Sequence, residues 1–337
     1  MNIHPDLRAL RSDDAPQRHA QQALHRAMAA WRARPEFAAL VDDLARLATG
    51  EPLDRCPALA ALFADGGSGG QSLVSGFISH SAQALGDAPL AHVPMRHFTD
   101  GCTSTLLLAR SGQVTLTLIA LDGNELRNRP APQNISFGPN ETWELVLAGR
   151  AVADLIACEP SGPRSARLDR RALALAPGTV LQRDGQREAR LVRSIEGTLV
   201  SLRLQRRRAN AGPTREYNLE SGALVHQAAG NPRDSRLELM LALLGRMQRK
   251  DAAPLMAALA QGDASAALRW QALRECLALD TQTGFTALSA IAGATGDALA
   301  GPAGALRAQL VEAHPQLQDL AQLQDLVQLQ ELATCPA

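Results

Sequence analysis

Residues 104 to 158 carry the most sustained strand pattern in the chain. Val114, Leu116 and Leu118 alternate with Thr115 and Thr117, which sends aliphatic side chains to one face of a pleated strand and hydroxyls to the other. Ser111-Gly112 separates this run from residues 105–109 and predicts a hairpin. The same plan predicts a second hairpin around Ala148-Gly149, joining residues 141–147 with 151–158. Further short strands are predicted at 173–175, 180–182, 189–195, 199–204 and 215–219. They are punctuated by Pro177-Gly178, Asp184-Gly185, Glu196-Gly197, Gly212-Pro213 and Ser221-Gly222. About ten short strands at this spacing predict a jelly roll.

On either side the hydrophobic period changes to that of helices. Asp14 with Gln17 has the form of a capping box, and Ala20, Leu24, Ala27, Met28 and Trp31 follow on one face. Pro35 and Glu36 open a second helix with Phe37, Leu40, Val41, Leu44 and Leu47 inward until Gly50. A short third helix passes through Leu59 and Phe63; a fourth carries Leu73, Phe77 and Leu85.

Beyond residue 234, Ser235 and Glu238 predict a capped helix with Leu237, Met240, Leu241, Leu244 and Met247 inward. Asp251 and Asp263 are the predicted caps of the next two, the second burying Leu268, Ala272, Leu273, Cys276 and Leu277. Helical runs at 285–292 and 305–313 follow. These short capped helices resemble HEAT-like repeats. In the tail, Leu317, Leu320, Leu323, Leu326, Leu329 and Leu332 stand three apart, so they wind around a helix and need cover from the chain itself or from a partner, a homodimer included. The predicted fold class is α+β, with N-terminal helices over 1–88, a central antiparallel jelly roll over 89–230 and a C-terminal helical domain over 231–337.

Charge removes some partners from consideration. The 34 basic and 34 acidic residues cancel, which gives no global attraction to nucleic acid or membrane. Lys250 is the single lysine, so the basic residues are nearly all arginine, a bias that accompanies high Ala and Leu in GC-rich bacterial coding. No apolar run approaches a membrane span, and no leader-like stretch occupies residues 1–16. Cys56, Cys102, Cys158, Cys276 and Cys335 form no CxxC pair. The expectation is a cytoplasmic protein with reduced thiols.

Candidate chemistry is sparse. Gly66-Gly67-Ser68-Gly69-Gly70 matches the nucleophile-elbow pattern, but that chemistry needs a strand before the serine, and ALAALFAD reads as helix. A flexible interhelical loop is the expectation there. His92 and His97, with Asp100 and Cys102 nearby, and His226 at the end of the last strand are the candidate metal ligands; four intervening residues in a loop is not a ligand spacing. Trp143 and Tyr217 are strand aromatics suited to core packing or to stacking on a ligand. Arg206 and Arg208 share a face and suit a bidentate grip on carboxylate or phosphate, or a charged strand end that resists edge pairing. Arg203 and Arg207 lie beside them, and Arg164, Arg167, Arg170 and Arg171 precede another strand. No aromatic interleaving accompanies either cluster, which argues against nucleic acid.

Glu141 followed by Leu145-Val146-Leu147-Ala148-Gly149 resembles the end of the first cupin motif, and Ala176-Pro177-Gly178 resembles the proline-glycine start of a later cupin strand. The resemblance implies a cupin jelly roll over the β region. In that family the motif begins with two histidines one residue apart; here those places fall on Asn134 and Ser136, which offer neither imidazole nor carboxylate. The resemblance therefore implies a cupin-like domain that has lost its metal site. The resulting expectation is a non-catalytic binding or regulatory protein without cofactor, holding a small molecule or protein partner through Trp143, Tyr217, Arg206 and Arg208. The alternative is a metal-dependent cupin-type enzyme, an oxygenase or isomerase, using His92, His97 and His226.

Overall fold

A computed structural model describes residues 13–162, 164–208, 212–230 and 232–317. The chain divides into two compact units, Met1–Gln227 and Ala228–Ala337.

The first unit is built on an antiparallel sheet. Strands β1 (His97–Thr99), β2 (Thr103–Ser111), β3 (Val114–Asp122), β8 (Glu188–Arg207), β5 (Asn140–Gly162) and β6 (Ser165–Leu175) lie side by side in that order, and β7 (Val180–Asp184) also pairs with β5. A smaller sheet has the order β10 (Leu224–Ala228), β9 (Thr214–Asn218), β4 (Asn134–Phe137). The hairpin of β2 and β3 forms as expected, with Ser111 opposite Val114 and Gly112 at φ +51° in the turn.

The second predicted hairpin does not form. Residues 141–147 and 151–158 are one continuous strand, and so are residues 189–195 and 199–204. Gly149 and Gly197, at φ +84° and +70°, sit in bulged regions of β5 and β8 that face each other, where the register shifts around Ala148. A side chain at Gly149 would meet the Thr198 carbonyl oxygen at 2.1 Å. Glycine is required there by close backbone approach as well as by conformation. The bulges let the two long strands bend together: the first part of β5 pairs with the end of β8 and with β7, its second part with the start of β8 and with β6. One strand pair thus frames both halves of the β structure.

Strand alternation then sorts side chains to two faces. On one, Val114, Leu116, Trp143, Leu145, Leu202 and Leu204 are buried in a single core with α1 (Ala15–Arg32), α2 (Pro35–Ala48) and α4 (Ser68–Asp87). Leu24, Met28 and Trp31 of α1 and Phe37, Leu40, Leu44 and Leu47 of α2 supply the helical side, whereas Val41 is exposed. Burial of each such leucine contributes about 2 kcal/mol. The α1 cap differs from expectation: Asp14 makes no cap bond, being paired with Arg18, and Asp13 accepts from the Ala15 amide. Asp43, buried in α2, accepts from the Ala58 and Leu59 amides at the start of α3 (Pro57–Ala61).

The glycine run is a packing device. Ser68 opens α4 directly after a 3-10 turn at Asp65–Gly67. Side chains at Gly67 or Gly70 would strike Leu145, and one at Gly69 would strike the Ala61 carbonyl. The glycines bring helix and sheet into contact, which corrects the expectation of a flexible loop.

The second unit is helical: α6 (Pro232–Arg246), α7 (Ala253–Gln261), α8 (Ala266–Leu279), α9 (Thr281–Gly293) and α10 (Ala300–Ala313). Leu268, Leu273, Cys276, Phe285 and Leu288 are fully buried in its core. The caps are Ser265 for α8, in place of Asp263, and Asp280 for α9; Asp251 pairs with Arg249 and caps nothing. On α6 Leu241 is buried, whereas Met240 and, just past the helix end, Met247, both predicted inward, are exposed. Apart from Leu317, which is buried, the leucine tail lies outside the described residues. Among the described residues no helix is long and apolar enough to cross a membrane.

Candidate functional site

On β5, Thr142, Glu144 and Val146 point to the face opposite Trp143 and Leu145. Glu144 lies opposite Arg203 of β8 and Leu181 of β7; Thr142 lies opposite Gln205 and Arg183; Thr117 of β3 lies opposite Arg203. Cross-strand partners share a face, so Thr117, Thr142, Glu144, Arg183, Arg203 and Gln205 form one polar layer beneath the sheet. Arg190 belongs to the first half of β8, thirteen residues before Arg203, and bending of the sheet carries it back to the same carboxylate.

Glu144 is 1% exposed and accepts four hydrogen bonds from three side chains. The Ser201 hydroxyl donates to Oε1 at 2.8 Å. Arg183 Nη2 donates to Oε2 at 3.3 Å, and Arg203 Nη2 to Oε1 and Oε2 at 3.3 and 3.5 Å. Arg190 Nη1 stands 3.0 Å from Oε1 and is held to it as an ion pair. The guanidinium side chains of Arg190, Arg183 and Arg203 are 6%, 11% and 26% exposed, so Arg203 is the one that reaches solvent most.

Burial by itself would push the Glu144 carboxyl up. Arg203, Arg190 and Arg183, with the Ser201 hydrogen bond, outweigh it and hold the carboxyl at about 2. Burial lowers Arg183 to about 10 against the pull of Glu144, with Arg190 and Arg203 adding repulsion; burial also lowers Arg190 against Glu144, with Arg203 adding repulsion. Glu144 is therefore ionised at neutral pH and faces three cations. What this arrangement does chemically is hold negative charge.

The sequence-predicted residues lie elsewhere. Trp143 is buried in the core shared with the N-terminal helices, with Arg206 6.0 Å from its ring. Arg206 is bound by the Glu141 carboxylate and the Leu47 and Glu51 carbonyls, and Arg208 by Glu141 and Asp184. Tyr217 packs edge-on against Phe137 in a different core. The structure thus gathers Arg206 and Arg208 around Glu141, sets Trp143 near Arg206 and leaves Tyr217 apart.

The His92 backbone exchanges hydrogen bonds with the Gln21 side chain, His97 lies on β1 and His226 on β10 of the other sheet. Asp100 accepts from the Cys102 and Thr103 amides and pairs with Arg129. Among the described residues no three His, Cys, Asp or Glu side chains are grouped to hold a metal. Asn134 and Ser136 fall on β4 with Ile135 and Phe137 as the inward pair. Cys56, Cys102, Cys158 and Cys276 are unpaired and buried, and burial pushes the Cys56, Cys158 and Cys276 thiols up, away from the thiolate that nucleophilic chemistry needs.

Sequence reasoning missed Glu144, Arg183, Arg190 and Ser201. One signal was present: Glu144 interrupts the run Trp143 to Leu147, and an acid inside an apolar strand needs a buried partner.

No protein-family model matches the chain, and no curated protein matches it. Solved structures with partial likeness include a cupin superfamily protein from Desulfitobacterium hafniense, 15% identical, covering 36% of this chain and 86% of that one at a TM-score of 0.23. The CENP-C cupin domain of Drosophila melanogaster is 10% identical, covers 33% and 75%, and has a TM-score of 0.25. HutD from Pseudomonas fluorescens is 15% identical, covers 34% and 55%, and has a TM-score of 0.23. The architecture described above rests on strand order and register in this chain.

Proposed function

We propose that this is a cytoplasmic, non-catalytic binding or regulatory protein whose cupin-like β domain holds a small ligand or a protein partner. The observation that carries the reading is the polar layer around Glu144. Its members are guanidinium, hydroxyl and carboxylate groups fixed on three strands, and guanidinium groups bind and orient anions without exchanging protons at neutral pH. A carboxyl held near 2 is a poor general acid or base at neutral pH, which also favours binding over proton-transfer chemistry.

Metal analysis of the protein purified without added metal tests this reading. The expected result is no stoichiometric iron, manganese, nickel or zinc. One tightly held equivalent, lost in His92→Ala or His97→Ala, would replace this reading with that of a metal-dependent enzyme.

A further inference from the structure

Three guanidinium groups around one carboxylate leave two positive charges uncompensated in the layer beneath the sheet. Other partly buried arginines are satisfied: Arg206 has Glu141 and two carbonyls, and Arg269 has Asp297 and the Ala260 carbonyl. The contrast extends to single atoms. Among the described residues the buried side-chain nitrogens and oxygens without a hydrogen-bond partner are Arg183 Nε, Arg190 Nη1 and Arg203 Nε, all in this one layer. Interior donors are almost always satisfied, by protein, by water or by a ligand. Here the unmade bonds and the unbalanced charge coincide, and both call for an acceptor that carries negative charge.

We propose that this layer is the binding site of a small dianion, a dicarboxylate or a phosphate group, resting on the binding reading above. The ligand reaches the layer beside Arg203, whose side chain is the most exposed of the three. It accepts from the free Nε groups of Arg203 and Arg183, while Glu144 and Ser201 hold Arg203 and Arg183 in place by engaging their other nitrogens or the shared carboxylate. Thr117, opposite Arg203 on β3, and Gln205, two residues from Arg203 on β8, flank the position with neutral polar groups. Two charges on the ligand match the two that are uncompensated.

Calorimetric titration with inorganic phosphate and with malonate, at constant ionic strength set by chloride, tests the site. Saturable one-to-one binding of either anion is expected, and which one binds decides between the phosphate and carboxylate classes. Arg203→Gln should weaken binding tenfold or more, and Arg167→Gln, a change at an exposed ion pair with Glu159 and Asp169, should leave it unaltered. If Arg203→Gln does not give a folded protein by circular dichroism, Arg203→Lys serves the same purpose, because an ammonium keeps the charge and lacks the Nε donor. Absence of saturable binding for both anions, or binding indifferent to the Arg203 substitution, overturns the proposal. That failure would leave the broader binding reading standing, whereas a His97-dependent metal would sink that reading whatever the anions do.

Discussion

The Ser201 hydroxyl donates to Oε1 of Glu144 at 2.8 Å across the β5–β8 pair, and each residue is 1% exposed. The bond joins two strands at the place where three arginines converge. Removing one partner of a buried charge cluster leaves the others uncompensated, so Glu144→Gln should cost about 3–5 kcal/mol. Ser201→Ala removes one bond to a charged acceptor and should cost about 2 kcal/mol. Urea denaturation of the full chain ranks the two; equal and negligible effects would mean the cluster contributes nothing to the fold.

Acid should remove part of the same stability. Glu144 has a folded-state value of about 2 against an ordinary 4.5, so its contribution is complete above pH 4.5 and is lost as pH falls toward 2. The loss is on the order of 3 kcal/mol. Glu141, held low by Arg208 and Arg206 against the opposing effect of its burial, titrates in the same direction, so the diagnostic quantity is the difference from Glu144→Gln. That variant should show a shallower fall in stability between pH 4.5 and 2 by urea denaturation. Parallel pH curves for the two proteins would contradict the assignment.

The alternation of Val114, Leu116 and Leu118 was legible because local pattern and local structure agree there. The long strands were not. Gly149 and Gly197 carry the same positive φ that a turn requires, and the bulges they occupy depend on a partner strand some fifty residues away. The charged layer was hidden for a related reason: Arg183, Arg190 and Arg203 come from two strands, at no motif spacing, and converge on Glu144 only after the sheet bends. Arg206 and Arg208 looked more site-like because they stand two residues apart, yet Glu141 already engages both. Helices were read more accurately than their caps, since buried stripes follow from many residues and a cap from one.

Substitution of the two bulge glycines separates the bulge from a hairpin turn. Gly197→Ala meets no atom within 4 Å and should cost only the positive-φ penalty, about 1 kcal/mol. Gly149→Ala drives a methyl group into the Thr198 carbonyl and should cost several times as much. Thermal melts of the two variants would show this; similar small losses would mean that residue 149 is free to move as a turn would be.

The glycine run near α4 makes an opposite pair of expectations. Ser68→Ala should leave folding and ligand binding unchanged, because Ser68 begins a helix after a 3-10 turn and no strand presents it. Gly67→Ala should destabilise the first unit, since its methyl group would overlap Leu145 at φ +80°. Circular dichroism melts compare them, and loss of a hydrolytic activity in Ser68→Ala would refute the packing account.

The most direct measurement is nitrogen-15 NMR of the arginine Nε–H groups with and without saturating phosphate or malonate. The Arg203 and Arg183 resonances, whose Nε atoms have no partner in the structure, should shift on addition of the anion. That of Arg206, whose Nε is already bound to Glu141, should stay in place. A shift confined to Arg206, or no shift at Arg203 and Arg183, would contradict an anion site in the layer around Glu144.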